Sequence, residues 1–242
     1  MTSFFLKTKA FFKFYIELAI DNKINLIFTL LFPIIYQLFS TNITHVLTDI
    51  EFIQKSIPMI AYIIVATALN GVTMSIIATR NNGFIKAYFY ASGSKWAIYV
   101  ANLLVQLVIV ILENFIFTLS LMILYKYISI RLLISILLMT IISFPIISLG
   151  FNILFLIRIR QSSLSVFSTS LLLGFLILFN ITKNSTTIFS DINPYTFIEL
   201  ILSNIINPNL IIMAQSIVVA ILYTFIGIIG YNFLDLQDRG KE

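Results

Sequence analysis

Cysteine is absent from the 242 residues, so neither a disulfide framework nor thiol chemistry is open to this chain. Histidine occurs once, at His45, and one imidazole cannot build a metal cluster. Charge is scarce: Asp, Glu, Lys and Arg make up 10% of the residues, against about 25% in soluble domains. A surface so poor in charge cannot hold a folded chain in water, and no stretch is left over for a separate soluble domain. No G-x-x-x-x-G-K-[ST] sequence occurs, which excludes a P-loop ATP site. H-E-x-x-H and G-x-S-x-G are also missing, which removes zinc-protease and nucleophile-elbow chemistry. An intramembrane metalloprotease would need several ligands inside apolar runs, and only Glu113 is a carboxylate in such a place. The first residues are basic and aromatic with no small-residue cleavage site after them, so no cleavable signal peptide is expected.

What is present is apolar: 60% of residues are hydrophobic and the mean hydropathy is +1.03. The pattern predicts an all-α integral membrane protein with six transmembrane helices, over 24–39, 57–78, 97–125, 132–157, 164–181 and 210–234. Pro33 should kink the first of them. Residues 1–23 interleave Phe4, Phe5, Phe11, Phe12, Tyr15 and Ile16 with Lys7, Lys9, Lys13 and Glu17, which suits an interfacial helix. Residues 41–56 carry Asp49, Glu51 and Lys55 and read as a loop. In 182–209, Asn193-Pro194 and Asn207-Pro208 bracket a stretch too short to span, which reads as an external re-entrant or interfacial helix. A short polar tail, 235–242, follows the last span.

Six spans return both termini to one side. That side holds Lys7, Lys9, Lys13, Lys23, Arg80, Lys86, Lys95, Arg158, Arg160, Arg239 and Lys241. Lys55, Lys126, Arg131 and Lys183 fall on the other, so eleven of the fifteen basic residues predict cytoplasmic termini. This asymmetry accounts for the net charge of +5 without any nucleic-acid partner.

Within the spans, polar residues fall at helical spacing. Asn102, Gln106 and Glu113 share one face of the third span. Glu113 there is either part of a substrate path or proton-sensitive switch, or a neutral carboxyl acting as packing glue. Thr67, Asn70, Gly71, Met74 and Ser75 form a polar, small-residue face on the second span, for close packing or for a polar cavity. Ser165, Ser168, Thr169 and Ser170 give one half of the fifth span a similar character, and Gly227 and Gly230 in the sixth read as close-packing positions.

The longest polar interval of the first half is 80–96, RNNGFIKAYFYASGSKW. A mere connection between two spans needs no such composition. It reads as a basic, amphipathic element at the membrane surface, offered to a cytoplasmic partner or lying on the membrane with none. Phe84, Ile85, Tyr88 and Phe89 would anchor it, Arg80, Lys86 and Lys95 would register it, and Gly83 and Gly93 would end it at each side.

These features together resemble the six-span permease subunits of ABC-2 type ATP-binding cassette transporters. That family follows its second span with an Arg or Glu, a Gly, an amphipathic turn, then a Gly or Pro with Ser and a basic residue. Here those elements are Arg80, Gly83, the 84–90 stretch and Gly93-Ser94-Lys95. The basic aromatic 1–23 segment is similar to the family's elbow helix, and Asn193-Pro194-Tyr195 to its proline-containing external segment. The family's acidic residue beside the Arg is replaced by Thr79 and Asn81.

The resemblance implies a cell-membrane exporter core in which two permeases pair, as a homodimer or a heterodimer. Two separate ATPase subunits bind the ATP and Mg, so this chain binds no cofactor and is not itself an enzyme. Residues 80–96 would be the coupling element, and Thr67, Asn70, Ser75, Gln106, Glu113, Ser165 and Ser168 would line the substrate path. The implied cargo is amphipathic or hydrophobic, an antimicrobial or cytolytic peptide first, as for the exporters of phenol-soluble modulins. The rival class is a channel, or a proton-coupled secondary transporter using Glu113.

Overall fold

The computed structural model describes residues 2–21, 23–40, 48–182 and 188–234. His45, Lys183, Asn184 and the 235–242 tail with Arg239 and Lys241 lie outside the described residues, with the expectations placed on them. Among the described residues there is no strand. In an apolar solvent a helix satisfies its own backbone, which is why so apolar a sequence resolves into helices alone.

In chain order these are α1 (Thr2–Asp21), α2 (Lys23–Ser40), α3 (Asp49–Asn81), α4 (Phe84–Ser92) and α5 (Lys95–Leu124). They continue as α6 (Ile130–Leu156), α7 (Leu164–Thr182), α8 (Ile188–Asp191), α9 (Pro194–Ile206) and α10 (Leu210–Asn232). Side-chain caps fix several starts. The Thr48 hydroxyl accepts from the Glu51 N–H, Ser94 from Ala97, Ser129 from Leu132, and Asn209 from Ile211.

Five of the helices, α3, α5, α6, α7 and α10, are long and apolar enough to cross a membrane among the described residues. The structure is an all-α, membrane-embedded protein. α2 is 18 residues long, about 27 Å at the usual helical rise, and carries Pro33 inside it.

Two boundaries differ from the sequence reading. The expected loop 41–56 is helical from Asp49 onward, because Thr48 caps it and Asp49 and Glu51 sit at the positive end of the helix dipole. The fourth span, expected to run to 157, is α-helical only to Gly150; it tightens to a 3-10 helix over Phe151–Leu156, and Ile157 is extended.

One end of the bundle gathers α4, the 155–159 segment and Leu234. Lys95 Nζ donates to the Leu234 carbonyl at 2.8 Å, and Lys7 Nζ reaches over Gly93. The other end gathers the Asp49, Tyr125–Arg131 and Ile206 residues. There Tyr127 donates to Asp49 at 2.9 Å, which raises the pKa of its hydroxyl, and Gln37 donates to Tyr125 at 2.6 Å. Arg131 donates to the Ile206 carbonyl at 3.4 Å. Between the ends, α5 packs against α1, α2, α3 and α6. The 188–206 segment dips into the bundle: Asn193 donates to the Phe175 carbonyl at 2.9 Å, Tyr223 donates to the Ile192 carbonyl, and Tyr195 is fully buried.

α10 meets α6 backbone to backbone. A Cβ at Gly227 would stand 2.2 Å from the Leu149 carbonyl oxygen, and one at Gly230 would stand 2.4 Å from that of Asn152. At Gly174 on α7 a Cβ would meet nothing within 4 Å. Gly227→Ala and Gly230→Ala should therefore each cost more than about 2 kcal/mol, since backbone must move. Gly174→Ala should be neutral or stabilising by up to about 1 kcal/mol. Thermal unfolding of the detergent-solubilised protein checks this; equal effects at all three positions would refute the close contact.

Candidate functional site

The 80–96 stretch folds as a short helix held at both ends. Gly83 (φ 76°) and Gly93 (φ 67°) both take the left-handed conformation that other residues resist, and they bound α4 on either side. Before it, Arg80 is buried, donating from Nη1 to the Phe155 carbonyl at 2.9 Å and from Nη2 to that of Ile157 at 3.4 Å. Asn81 Nδ2 donates to the Ile159 carbonyl at 2.9 Å. Behind it, Lys95 donates to Leu234 while its own carbonyl accepts from the Tyr231 hydroxyl at 2.5 Å.

The α4 faces follow the helical period. Ile85, Tyr88, Phe89 and Ser92, at i, i+3, i+4 and i+7, turn inward. Tyr88 lies edge-on to Phe11 and Phe14 of α1, at 5.8 and 5.4 Å between ring centroids. Ile85 is buried outright. Phe84 (56% exposed) and Tyr90 (74%) remain on the surface. Lys86 is half-buried. So of the residues expected to face a partner, Arg80, Ile85 and Lys95 are taken up by the chain itself, and Tyr88 and Phe89 turn inward. Tyr90, which sequence reasoning passed over, is like Phe84 an exposed aromatic residue; the inward spacing 85, 88, 89 and 92 was the signal that could have found it.

A second group forms around Glu113 in α5. Its carboxylate accepts from Thr29 of α2 (Oε1, 2.5 Å) and from Thr67 of α3 (Oε2, 3.0 Å). Thr67 opens a run of π-helix, Thr67–Met74, inside α3. A π-helix turns more slowly than an α-helix, so the spacing that set Thr67, Asn70, Gly71, Met74 and Ser75 on one face does not hold through it. Thr67 and Met74 are buried, whereas Asn70, Gly71 and Ser75 are half-buried.

On the facing helix, Asn102 Nδ2 donates to the Gly71 carbonyl at 3.2 Å, and Gln106 packs onto Gly71 where a Cβ would otherwise sit. Asn102, Gln106 and Glu113 thus meet the wide turns of α3 as one contact. Ser165 and Ser168 do not join it through any hydrogen bond. Ser168 is buried and donates to the Ser165 carbonyl, Ser165 is exposed, and Thr169 and Ser170 bond back to their own helix. Among the described residues no group of three His, Cys, Asp or Glu could hold a metal.

The chain matches no family model, no curated protein and no solved structure.

The Glu113 contact makes a prediction about side-chain chemistry. Hydroxyls can rotate to donate or accept, so Glu113→Gln keeps both Thr29 and Thr67 bonded. It should change stability by less than about 1 kcal/mol. Glu113→Leu strips a partner from two buried hydroxyls and should cost about 2 kcal/mol or more. Thermal unfolding of the two variants side by side gives the comparison, and equal losses would mean that the hydrogen bonds are not what holds the site.

Proposed function

We propose that the chain is the permease subunit of an ABC-2 type ATP-binding cassette exporter in the cell membrane. Two permeases pair, and two ATPase subunits carry the ATP and Mg and dock on α4. The observation that carries this reading is the mounting of α4. A motor on a separate subunit needs a rigid lever, because a flexible loop absorbs motion. The chain on either side of α4 is tied down, by Arg80 at the end of α3 to α6 and by Lys95 at the start of α5 to Leu234 and Tyr231; α4 itself packs on α1 through Tyr88, while Phe84 and Tyr90 stay available. Exposed aromatic residues of this kind dominate docking energetics.

The six-span topology with cytoplasmic termini belongs to the same proposal, with α2 as the first crossing and α1 as an interfacial elbow. Support comes from Lys7 and Leu234, which both lie at the α4 end, whereas Gln37 at the far end of α2 is bonded at the opposite one. The contact of Asn102, Gln106 and Glu113 with α3 lies in the transmembrane part of the proposed path, and an apolar chain with so few charges suits an amphipathic or hydrophobic peptide as cargo.

The test separates the two faces of α4. Phe84→Ala with Tyr90→Ala should leave folding and membrane insertion intact and reduce recovery of the co-expressed ATPase at least tenfold, since two interface aromatics each contribute about 1–2 kcal/mol. Tyr88→Ala should instead loosen α1 and lower the unfolding temperature. Undiminished ATPase recovery with the Phe84/Tyr90 variant would remove α4 from the coupling role. Transport that persists without any ATPase but is lost in Glu113→Gln would favour the proton-coupled alternative.

A further inference from the structure

The 188–206 segment carries a carboxylate to a depth that its place in the sequence does not suggest. Its course is fixed at three points. Asn193 donates to the Phe175 carbonyl, and the Ile192 carbonyl accepts from the Tyr223 hydroxyl. At the other end of α9, the Ile206 carbonyl accepts from Arg131, at the start of α6. At the usual helical rise, Phe175 lies about 10 Å or more from either end of α7, and Tyr223 about 13 Å or more from either end of α10. Asp191, next to Ile192, is therefore held level with the interior of two helices long and apolar enough to cross a membrane.

Asp191 is half-buried and Ile192 is 40% exposed, so this part of the segment faces away from the core. The hydrogen bond to its carboxylate is long: the Ser190 hydroxyl donates to Oδ1 at 3.5 Å. Among the described residues no Lys or Arg pairs with it. Glu113 differs, being buried and accepting from two hydroxyls. The N-terminal dipole of α9 favours a nearby carboxylate, but Asn193 already caps that end by accepting from the Tyr195 N–H. A helix dipole also returns only a fraction of what a bare carboxylate loses in hydrocarbon. Asp191 therefore needs water and a counter-charge, and lipid supplies neither.

We propose that Asp191 is a binding site, on a water-reached face at membrane depth, for the cationic group of an amphipathic molecule: an alkylammonium, such as a lysine side chain. One carboxylate beside a hydroxyl offers too few ligands for a metal ion, and among the described residues no group of three His, Cys, Asp or Glu could hold one. An ammonium needs a single counter-charge, and its alkyl stem gains from the exposed Ile192 beside it. As a cargo site this rests on the exporter reading; as a cation site it does not. The two fail separately, because the experiment uses the chain without any ATPase.

The chain has no cysteine, so Ile192→Cys places a single thiol beside the carboxylate. The protein is reconstituted in phosphatidylcholine nanodiscs, free of anionic lipid, and labelled with methanethiosulfonates that carry either a trimethylammonium or a sulfonate group. Both reagents should react, and adding Asp191→Asn should lower the ratio of cationic to anionic rate at least about fivefold. A thiol that reacts with neither reagent overturns the proposal, because lipid or a second copy of the chain then covers the face. An unchanged ratio in Asp191→Asn overturns it too. A second measurement needs no cysteine: binding of dansylcadaverine, a fluorescent alkylammonium, to the unaltered chain and to Asp191→Asn and Asp191→Glu. Asp191→Asn should bind it at least about fivefold more weakly, whereas Asp191→Glu should hold most of the affinity. Equal binding by the unaltered chain and Asp191→Asn removes Asp191 as the cation site.

Discussion

Arg80 ties the end of α3 to the end of α6, and the arrangement at that end of the molecule follows from it. A guanidinium is expensive to bury, and here it is bonded to the carbonyls of Phe155 and Ile157, where the 3-10 turn runs out and backbone acceptors are left without helical partners. One side chain thereby satisfies two demands, its own and that of the α6 terminus. Because the clamp fixes where α3 stops, the left-handed Gly83 can redirect the chain and α4 leaves at a set angle, its inner face reaching Phe11 and Phe14. With Lys95 fastened to Leu234, the first, middle and last segments of the chain meet around one short helix.

Deeper in the bundle, polar groups are matched to irregular backbone. The π-helical turns of α3 present the Gly71 carbonyl to Asn102, and the same turns carry Thr67 to Glu113. The 3-10 turn of α6 lies beside the π-helical turns and carries Asn152. Non-helical geometry at membrane depth is tolerated where it is enclosed by protein: the π-helical turns pack against α5, and the 3-10 turn packs against α10.

How much of this could be read in advance depended on whether the signal was local. Spans such as Lys95–Leu124 and Leu210–Asn232 were legible because lipid selects long apolar runs directly. The start of α3 was not, since Asp49, Glu51 and Lys55 look like loop residues until Thr48 is recognised as a cap. Gly83 and Gly93 announced the limits of α4, whereas the inward set of Ile85, Tyr88 and Phe89 needed α1 in place to be told from the outward one. Glu113 was visible as an outlier of composition. Its partners Thr29 and Thr67 lie 84 and 46 residues away, and such distant pairing leaves no mark on a single sequence.

Part of the seam between α10 and α6 is made of main chain. Gly227 and Gly230 present bare Cα hydrogens to the carbonyl oxygens of Leu149 and Asn152, so the contact involves no rotamers on the α10 side. Joining two such surfaces freezes no side-chain torsions there, and weak Cα–H···O contacts gain from the close approach. In lipid, where water expulsion does not drive helices together, this is an inexpensive way to assemble them. It also makes the seam stiff at these two points: with no flexible group between Gly227 or Gly230 and the α6 backbone, nothing there can repack when one helix is pushed. A displacement of α10 at Gly230 therefore meets the main chain of the 3-10 turn of α6 directly, with no α10 side chain in between to absorb it.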